Sequence, residues 1–279
     1  MDIFSPMVFP ADDFFSYRVN EEFVEESKVV ASLGGDPILV DHTGLTNGVF
    51  TARTGKLTGK AFYRGWMLDD AEYALMENGL RQKGITLRTS SADYARAYHL
   101  YGWYDEFSEY TPRSAWFGRG EEYLDKVVEE VGSGPYFVKD SVKSLKHDGL
   151  ASSYAPDLGA LPGVVDNFLT AQGDYARPVT VIRQFEEFRR DQGELRVWWV
   201  DGVPFMTPHP DTPDSFPVVD RGFIRDVGAV VKRFGCPFVT TDLAQRTDGS
   251  WRIIEVSDGQ VSGFPKGVDS EGLYRLLLV

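Results

Sequence analysis

The chain has 279 residues, of which 42% are hydrophobic and 25% charged, and its formal net charge is −13 at pH 7. These values predict a folded protein with two or three subdomains, and they disfavour nucleic-acid or anionic-membrane binding through a broad basic surface. The single cysteine excludes an internal disulfide, and the sequence shows neither a signal-peptide pattern nor a membrane-spanning run, so we expect a cytoplasmic protein that spans no membrane.

The first third of the chain alternates helix-like with strand-like segments. The spacing of apolar residues predicts helices and strands in turn, with helices over 20–33, 69–83 and 92–100 and strands over 37–40, 60–66 and 85–87. Strands separated by helices of this length favour parallel pairing, so we expect an α/β subdomain up to residue 112.

Beyond residue 112, strand-like segments joined by hairpins dominate. The predicted strands cover 136–139, 179–188, 195–200 and the two arms of 238–256. Helices are predicted only over 121–131 and 222–234. Antiparallel pairs with few helices indicate an α+β arrangement, so the expected fold class is α/β plus α+β.

The last predicted hairpin carries two facing carboxylates. Asp248 and Gly249, between two strand-like runs, are a strong signal for a two-residue turn. Counting outward from this turn pairs Asp242 with Glu255, and strict alternation places both on the face that carries Trp251. Like charges in direct opposition destabilise a sheet, so a compensating cation is expected. Mg²⁺ suits two carboxylates that share it with phosphate oxygens.

Two further questions stay open at this hairpin. The acidic pair can instead be exposed and offset by Arg246 or Arg252. Asp258, which follows shortly after Glu255, can add a third oxygen ligand or serve only as a turn residue.

Two upstream segments carry groups suited to a nucleotide. Lys139 ends an apolar strand and is followed by a Ser/Lys/Gly loop with Lys143, which can cradle phosphate although GxxxxGK[ST] is absent. Glu194 and Arg196 share one face of a predicted strand, where the carboxylate can bind ribose hydroxyls and the guanidinium phosphate. The alternatives are a solvent-exposed strand-end lysine and a surface ion pair.

In this order and spacing, the segments resemble the ATP-grasp superfamily over residues 113–266. The resemblance rests on Lys139, the Glu-Glu-Phe segment 186–188, a Glu-x-Arg seven residues after Glu187, and Asp242 with Glu255. The segments are especially similar to those of the branch of glutamate ligases that modify ribosomal proteins.

One position departs from that branch. Ser257 stands where the branch has Asn, which weakens the case for a second metal ion. The run from Glu255 has the form E-x-x-D-G-Q and resembles an ATP-grasp clade of bacteria and phages, as does the segment 63–68.

The resemblance implies an ATP-grasp fold in three parts. Residues 1–112 are expected to form an N-terminal, pre-ATP-grasp-like α/β subdomain on the substrate side. Residues 113–180 are expected to form a central subdomain with the lysine strand and the phosphate loop. Residues 181–279 are expected to form a C-terminal subdomain with the hinge and the metal-binding hairpin, and the last two parts are the antiparallel-sheet ATP-binding subdomains.

The resemblance also implies roles in binding ATP. Lys139 would contact the α/β-phosphates, Lys143 the β/γ-phosphates, Glu194 the ribose and Arg196 the γ-phosphate. The hinge that holds adenine through its backbone comprises Glu186, Glu187 and Phe188.

The implied metal ligands and catalytic cations complete this site. Asp242, Glu255 and Asp258 would hold Mg²⁺. The candidate catalytic residues are Arg196, Lys143 and Arg183, the last of which is expected to point into the same cleft.

ATP-grasp enzymes usually phosphorylate a carboxylate and let an amine displace the phosphate. We therefore predict an ATP-dependent carboxylate–amine ligase for small-molecule or peptide substrates, which works by positioning and charge neutralisation. Such a reaction requires no histidine base, and the four histidines are expected to be local hydrogen-bonding groups. An ATP-dependent phosphotransferase and a non-catalytic nucleotide-binding interaction module are the alternatives, the latter suggested by Ser257. The sequence does not determine the oligomeric state.

Substrate binding is expected on the N-terminal side. Arg64, at a predicted strand end, is the candidate clamp for a substrate carboxylate. The alternative is an ion pair with Asp69 or Asp70.

Overall fold

Three β-sheets follow one another along the chain, and the computed structural model describes residues 6–55, 57–142, 152–173 and 177–279. The strands of the first sheet are β1 (Met7–Pro10), β2 (Pro37–Val40), β3 (Ala52–Arg53), β4 (Gly59–Tyr63) and β5 (Ile85–Leu87). Their order is β3-β2-β1-β4-β5; β2, β1, β4 and β5 run parallel, and β3 pairs antiparallel with β2. The predicted parallel α/β sheet is confirmed.

Five helices belong to this part of the chain: α1 (Val24–Ser32), α2 (His42–Thr46), α3 (Asp70–Gln82), α4 (Ser91–Tyr98) and α5 (Leu100–Phe107), the last of which packs in the core of the third sheet. Asp69 begins α3 through a capping box with Glu72, which confirms the predicted helix start. The helix predicted up to residue 100 ends earlier, because His99 is extended (φ −99°, ψ 135°) and separates α4 from α5.

The second sheet is antiparallel and lies in the centre of the chain. Its strands are β6 (Ser114–Gly118), β7 (Tyr136–Asp140), β8 (Tyr154–Ala155) and β9 (Val179–Gln184), in the order β6-β9-β7-β8. Helices α6 (Leu124–Glu130) and α7 (Leu161–Gln172) share a buried apolar cluster with it. Helix α7 is not among the predicted helices, because its Gly and two Val residues lower helix propensity; packing of Leu161, Val165 and Phe168 at helical spacing outweighs that.

The third sheet is also antiparallel. Its strands are β10 (Leu195–Val200), β11 (Val203–Pro208), β12 (Phe238–Gln245) and β13 (Trp251–Asp258), in the order β11-β10-β12-β13. The apolar face of helix α8 (Arg221–Phe234) packs against Trp199, and Gly228 of the helix lies close to the Trp199 ring. A short helix, α9 (Glu271–Leu277), ends the chain.

The sheets share buried cores rather than standing apart. Phe62 of β4 packs with Trp198 and Phe238 of the third sheet and with Tyr274 of α9. Val142, just after β7, packs in the core of the first sheet. None of the helices in the described part of the chain has the length and apolar character needed to cross a membrane.

Candidate active site

Three charged side chains form a row across the third sheet. Arg196 of β10 pairs with Asp242 of β12, and Asp242 pairs with Glu255 of β13, so all three share one face. The Arg196 guanidinium donates to both oxygens of the buried Asp242 carboxylate, at 2.8 Å each. Burial would raise the pKa of Asp242, but Arg196 and His209 outweigh burial and hold that pKa well below its ordinary value.

Asp242 and Glu255 face each other as predicted, although the strand register that brings them together differs from the predicted one. Next to the turn, Gln245 pairs with Trp251, one residue away from the register that a two-residue turn predicts. A bulge at Ile254 then shifts the register and restores the pair. It also turns Glu255 to the face opposite Trp251, so the predicted shared face of these two residues is wrong.

His209 joins this row, and its place in the site was missed. Its Nε2 lies 3.0 Å from Arg196 Nη2 and 3.4 Å from Asp242 Oδ2. Its Nδ1 accepts from the backbone N–H of Asp211 at 3.1 Å, which favours the tautomer with the ring proton on Nε2, and Nε2 lies within reach of Asp242. Counting back from the Asp201-Gly202 turn would have paired His209 with Glu194, as the 3.1 Å bond between their backbones shows.

Glu194, the residue directly before β10, lies beside His209. Its Oε2 is 3.8 Å from His209 Nδ1, and burial raises its pKa. Glu194 and Arg196 extend from one face of the strand, as predicted.

The central sheet contributes two buried cations. Lys139 of β7 pairs with Val181, so it shares a face with Arg183 of β9. Lys139 Nζ lies 4.0 Å from Glu255 Oε2 across the gap between the two sheets. Burial lowers the pKa of Lys139, and Glu255 opposes that shift. The alternative of a solvent-exposed lysine is excluded, because this side chain is 3% exposed.

The predicted hinge connects the second and third sheets. The strand predicted to reach residue 188 ends at Gln184, after which Phe188 forms an isolated bridge with Arg246 and Glu187 O accepts from Thr247 N at 3.1 Å. The Glu186 carboxylate is held by Arg252 at 2.9 and 3.0 Å. Arg252 and Arg246 therefore form ion pairs with Glu186. The alternative in which they offset the charges of Asp242 and Glu255 is not supported.

Asp258 does not join the row, which corrects its prediction as a metal ligand. It pairs with Val239, on the opposite face of the sheet from Asp242. Its Oδ1 accepts from the backbone and side-chain N–H groups of Gln260, at 2.9 and 3.1 Å. Ser257 is the residue that shares the face of Glu255, because side chains alternate along a strand.

The partners of Arg64 are Glu26 and the segment that follows β13. Arg64 is 1% exposed, donates to both oxygens of Glu26 at 2.9 and 3.0 Å, and its Nη1 contacts backbone oxygens of the segment 259–262. An ion pair is present, as the alternative predicted, but with Glu26 instead of Asp69 or Asp70. This geometry gives no support to a substrate clamp.

The arrangement fits one magnesium ion more readily than a larger metal site. Among the residues described, no group of three or more His, Cys, Asp and Glu side chains could hold a metal ion. Asp242 and Glu255 could supply two hard oxygen ligands on one face, and Mg²⁺ commonly completes its octahedron with phosphate oxygens and water. Lys143, the predicted cation of the phosphate loop, lies outside the described residues.

A family model matches the second half of the chain, where most of these residues lie. Residues 130–277 match the model of an ATP-grasp domain family, described as family 3 of its clade. No curated protein matches the chain.

Solved structures share the fold over nearly the full chain. A RimK domain ATP-grasp protein from Sphaerobacter thermophilus DSM 20745 has a TM-score of 0.64 at 16% identity, covering 98% of this chain and 100% of that chain. D-alanine–D-alanine ligase from Bacillus anthracis has a TM-score of 0.61 at 13% identity, covering 99% and 96%. Macrocyclase MdnC, bound with precursor peptide MdnA from Microcystis aeruginosa MRC, has a TM-score of 0.59 at 14% identity, covering 98% and 99%.

Proposed function

The chain belongs to the ATP-grasp superfamily, in the third family of one of its clades, and from that premise we propose an ATP- and Mg²⁺-dependent carboxylate–amine ligase. It would activate a carboxylate as an acyl phosphate and join it to an amine. A cytoplasmic location, expected from the sequence, fits a requirement for ATP and stays a prediction.

The row of Arg196, Asp242 and Glu255, with Lys139 facing it, is the observation that carries this proposal. Two carboxylates and two cations converge from two sheets, and Lys139 Nζ lies 4.0 Å from Glu255 Oε2 across them. The cations pair with the acids, which offsets part of the cost of burying these charges. A divalent cation can take over the pairing with the two acids, and phosphate oxygens the pairing with the two cations.

Each side chain then has a defined part in holding the nucleotide. Lys139 would contact the α/β-phosphates and Arg196 the γ-phosphate, exchanging part of its contact with Asp242 for phosphate oxygens. The anionic phosphates would also favour the charged form of Lys139, whose pKa burial lowers. Glu194 would accept from the ribose hydroxyls, and the backbone at Glu187 would bind adenine.

The chemistry needs positioned charge more than proton transfer. A substrate carboxylate oxygen attacks the γ-phosphorus, the bond from that phosphorus to ADP oxygen breaks, and ADP leaves with the electron pair. The amine then attacks the acyl carbon, phosphate leaves, and the amine loses its proton to water. Arg196 and Lys139 hold the phosphates in line and stabilise the charge that develops on them.

Mg²⁺, held by Asp242 and Glu255, would supply charge neutralisation between the phosphates when bound. The carboxylate and amine substrates can be small molecules or peptides, as the names of the D-alanine–D-alanine ligase and the precursor-peptide macrocyclase suggest.

Turnover over a panel of carboxylates and amines tests the proposal. We expect ADP and phosphate to be released together only when both an acceptor carboxylate and an amine are present. A stable phosphorylated product would instead identify a phosphotransferase. Binding of ATP with no turnover over the panel would identify a nucleotide-binding module, the alternative suggested by Ser257.

Substitution of the two carboxylates tests the site itself. Asp242→Asn and Glu255→Gln are each expected to lower turnover about 100-fold, because a metal ligand is lost while shape is kept. Asp226→Asn, on the exposed side of α8, is the matched control and is expected to leave turnover unchanged. Unchanged Mg-ATP affinity and turnover in both site variants would contradict the assignment.

A further inference from the structure

The bulge at Ile254 decides which residue faces Asp242. From the turn, Gln245 pairs with Trp251 and Leu243 with Ile253. If this register continued, Ile254 would face Asp242, and Glu255 would face Thr241 on the buried side of the sheet. The extra residue on β13 prevents this, so the pairing of the two carboxylates depends on the bulge being held in place.

Groups outside the third sheet hold the backbone at the bulge. β13 is the edge strand, so its outward N–H and C=O groups need partners from elsewhere. Ile253 N donates to Tyr110 O at 2.8 Å, and Ile253 O accepts from Thr111 Oγ1 at 2.8 Å. The carbonyl oxygen of the bulged residue, Ile254, accepts from Arg183 Nη1 at 2.7 Å.

Arg183 is well placed to hold that carbonyl. It projects from β9 of the central sheet, is 6% exposed, and its Nε donates to Ser114 Oγ at 3.1 Å. Its Nη2 donates to Thr111 Oγ1, the same hydroxyl that donates to Ile253 O. Burial lowers the pKa of Arg183 to about 10, which keeps the guanidinium charged at neutral pH.

We propose that Arg183 is a positioning residue for Glu255: it holds the Ile254 carbonyl while Thr111 holds the Ile253 carbonyl, and the two contacts fix the bulge and so set Glu255 opposite Asp242. The inference rests on the proposed function for its consequence, which is the placing of a ligand for Mg²⁺. It replaces the expectation that Arg183 is a catalytic residue pointing into the cleft, because Nε, Nη1 and Nη2 each already bind a neighbouring group. The central sheet thereby sets the geometry of the carboxylates on the third sheet.

Binding of a non-hydrolysable ATP analogue, measured by calorimetry with Mg²⁺ and with EDTA, tests the proposal. Arg183→Lys keeps the charge but loses the forked contact, and Thr111→Val loses the hydroxyl, whereas Thr111→Ser keeps it. We expect the Mg²⁺ concentration for half-saturation to rise about tenfold in Arg183→Lys and Thr111→Val. Metal-free affinity for the analogue is expected to stay within twofold of the wild-type value.

Matched variants define the specificity of the effect. Thr111→Ser and Arg225→Lys, the latter at an exposed arginine of α8, are expected to retain the wild-type Mg²⁺ dependence. Loss of metal-free affinity in Arg183→Lys would show direct contact with the nucleotide and overturn the proposal.

A double-substitution cycle with Glu255→Gln asks whether Arg183 acts through Glu255. If it does, Arg183→Lys has no further effect on Mg²⁺ dependence once Glu255 is replaced. An undiminished tenfold effect in the Glu255→Gln background would overturn the proposal.

Amide hydrogen exchange of the ligand-free protein separates this inference from the proposed function. Arg183→Lys and Thr111→Val are expected to speed exchange at least tenfold within 253–256, while exchange in the paired segment 239–242 on the β10 side stays as in the wild type. Unchanged exchange at 253–256 would overturn the bulge assignment. If the wild type binds no Mg-ATP, the proposed function fails, and the exchange result still decides the role of Arg183 in the bulge.

Discussion

At the scale of single residues, Asp242 shows how a buried carboxylate is kept ionised before any ligand binds. A buried charge without a partner would be protonated or would destabilise the fold. The two-pronged contact from Arg196 and the imidazole of His209 remove that cost. The sequence pattern called for a compensating cation at the acidic pair, and in the structure Arg196 and Lys139 are those cations.

His209 is predicted to orient Asp242 through its Nε2–H group. In His209→Gln the side-chain amide can donate from nearly the same place, whereas in His209→Asn it reaches only the position of Nδ1. We expect turnover within about threefold of wild type for Gln and roughly tenfold lower for Asn. Steady-state kinetics at saturating Mg²⁺ measures both, and equal losses in the two variants would contradict this role.

Asp258 is predicted to make stability depend on pH. Burial raises the pKa of Asp258 from 3.8 to about 7, and its Oδ2 finds no hydrogen-bond partner among the described residues. As the pH rises from about 4 to 7, the unfolded chain loses this proton before the folded chain does. The free energy of unfolding is therefore expected to fall, by about 1.4 kcal/mol per pH unit within that window.

Asp258→Asn removes this titration and is expected to flatten that part of the pH profile. Above about pH 7, where the wild type carries the full cost of a buried charge, the variant is expected to be the more stable protein. Urea unfolding from pH 4 to 8 measures both proteins, with Asp105→Asn at an exposed position as the control. A variant with the wild-type slope would show that other groups cause the dependence.

At the scale of elements, the hinge and the hairpin are joined by one arginine. Arg252 of β13 holds the Glu186 carboxylate and also donates to the backbone oxygens of Glu109 and Thr111, at 3.0 and 2.6 Å. A single side chain thus connects the segment 186–188, the end of the N-terminal part and the hairpin of β12 and β13. The backbone of the hinge, which is proposed to hold adenine, depends on this anchor.

Arg252→Lys is predicted to weaken adenine binding more than catalysis. Lysine cannot reproduce the two-pronged contact with Glu186, so KM for ATP is expected to rise roughly fivefold with kcat nearly unchanged. Arg246→Lys is the matched control, because Arg246 Nε lies 3.6 Å from Glu186 and is more exposed. A fall in kcat at constant KM would argue against the hinge role.

At the scale of the whole molecule, a buried polar network joins the first and third sheets. Arg64 binds Glu26 and backbone oxygens of 259–262, and Gln260 accepts from Tyr63 N while donating to Tyr73 Oη, both at 2.9 Å. The segment that follows β13 is thereby held by the N-terminal sheet. This contact links the N-terminal part directly to the hairpin of β12 and β13.

Arg64→Met is predicted to destabilise the protein strongly. It removes the charged partner of the mostly buried Glu26, which keeps only the Tyr274 hydroxyl, and it leaves several carbonyl groups buried without a partner, so the expected loss is about 3–5 kcal/mol in the free energy of unfolding. Urea denaturation measures it, with Lys28→Met as the control in an exposed ion pair worth about 1 kcal/mol or less. A substrate clamp would instead raise KM for the carboxylate at unchanged stability, and that result would restore the original expectation for Arg64.

The sequence by itself determined features that depend on short range. Capping at Asp69, the alternation of Glu194 with Arg196, and the two acids of the hairpin follow from turn chemistry and strand periodicity within a few residues. The order of the motifs was also enough to indicate the family, since the chemistry of phosphate and metal restricts the residue types that can serve.

Only the tertiary structure decided which partners those residues meet. Arg183 reaches Ile254 across 71 positions, Arg252 reaches Glu186 across 66, and Arg64 reaches Glu26 across 38. Such contacts depend on how separate sheets pack, and no local period encodes that packing. The bulge is the sharpest case: turn chemistry predicted the pairing of Asp242 with Glu255, but a carbonyl held from another sheet accounts for it.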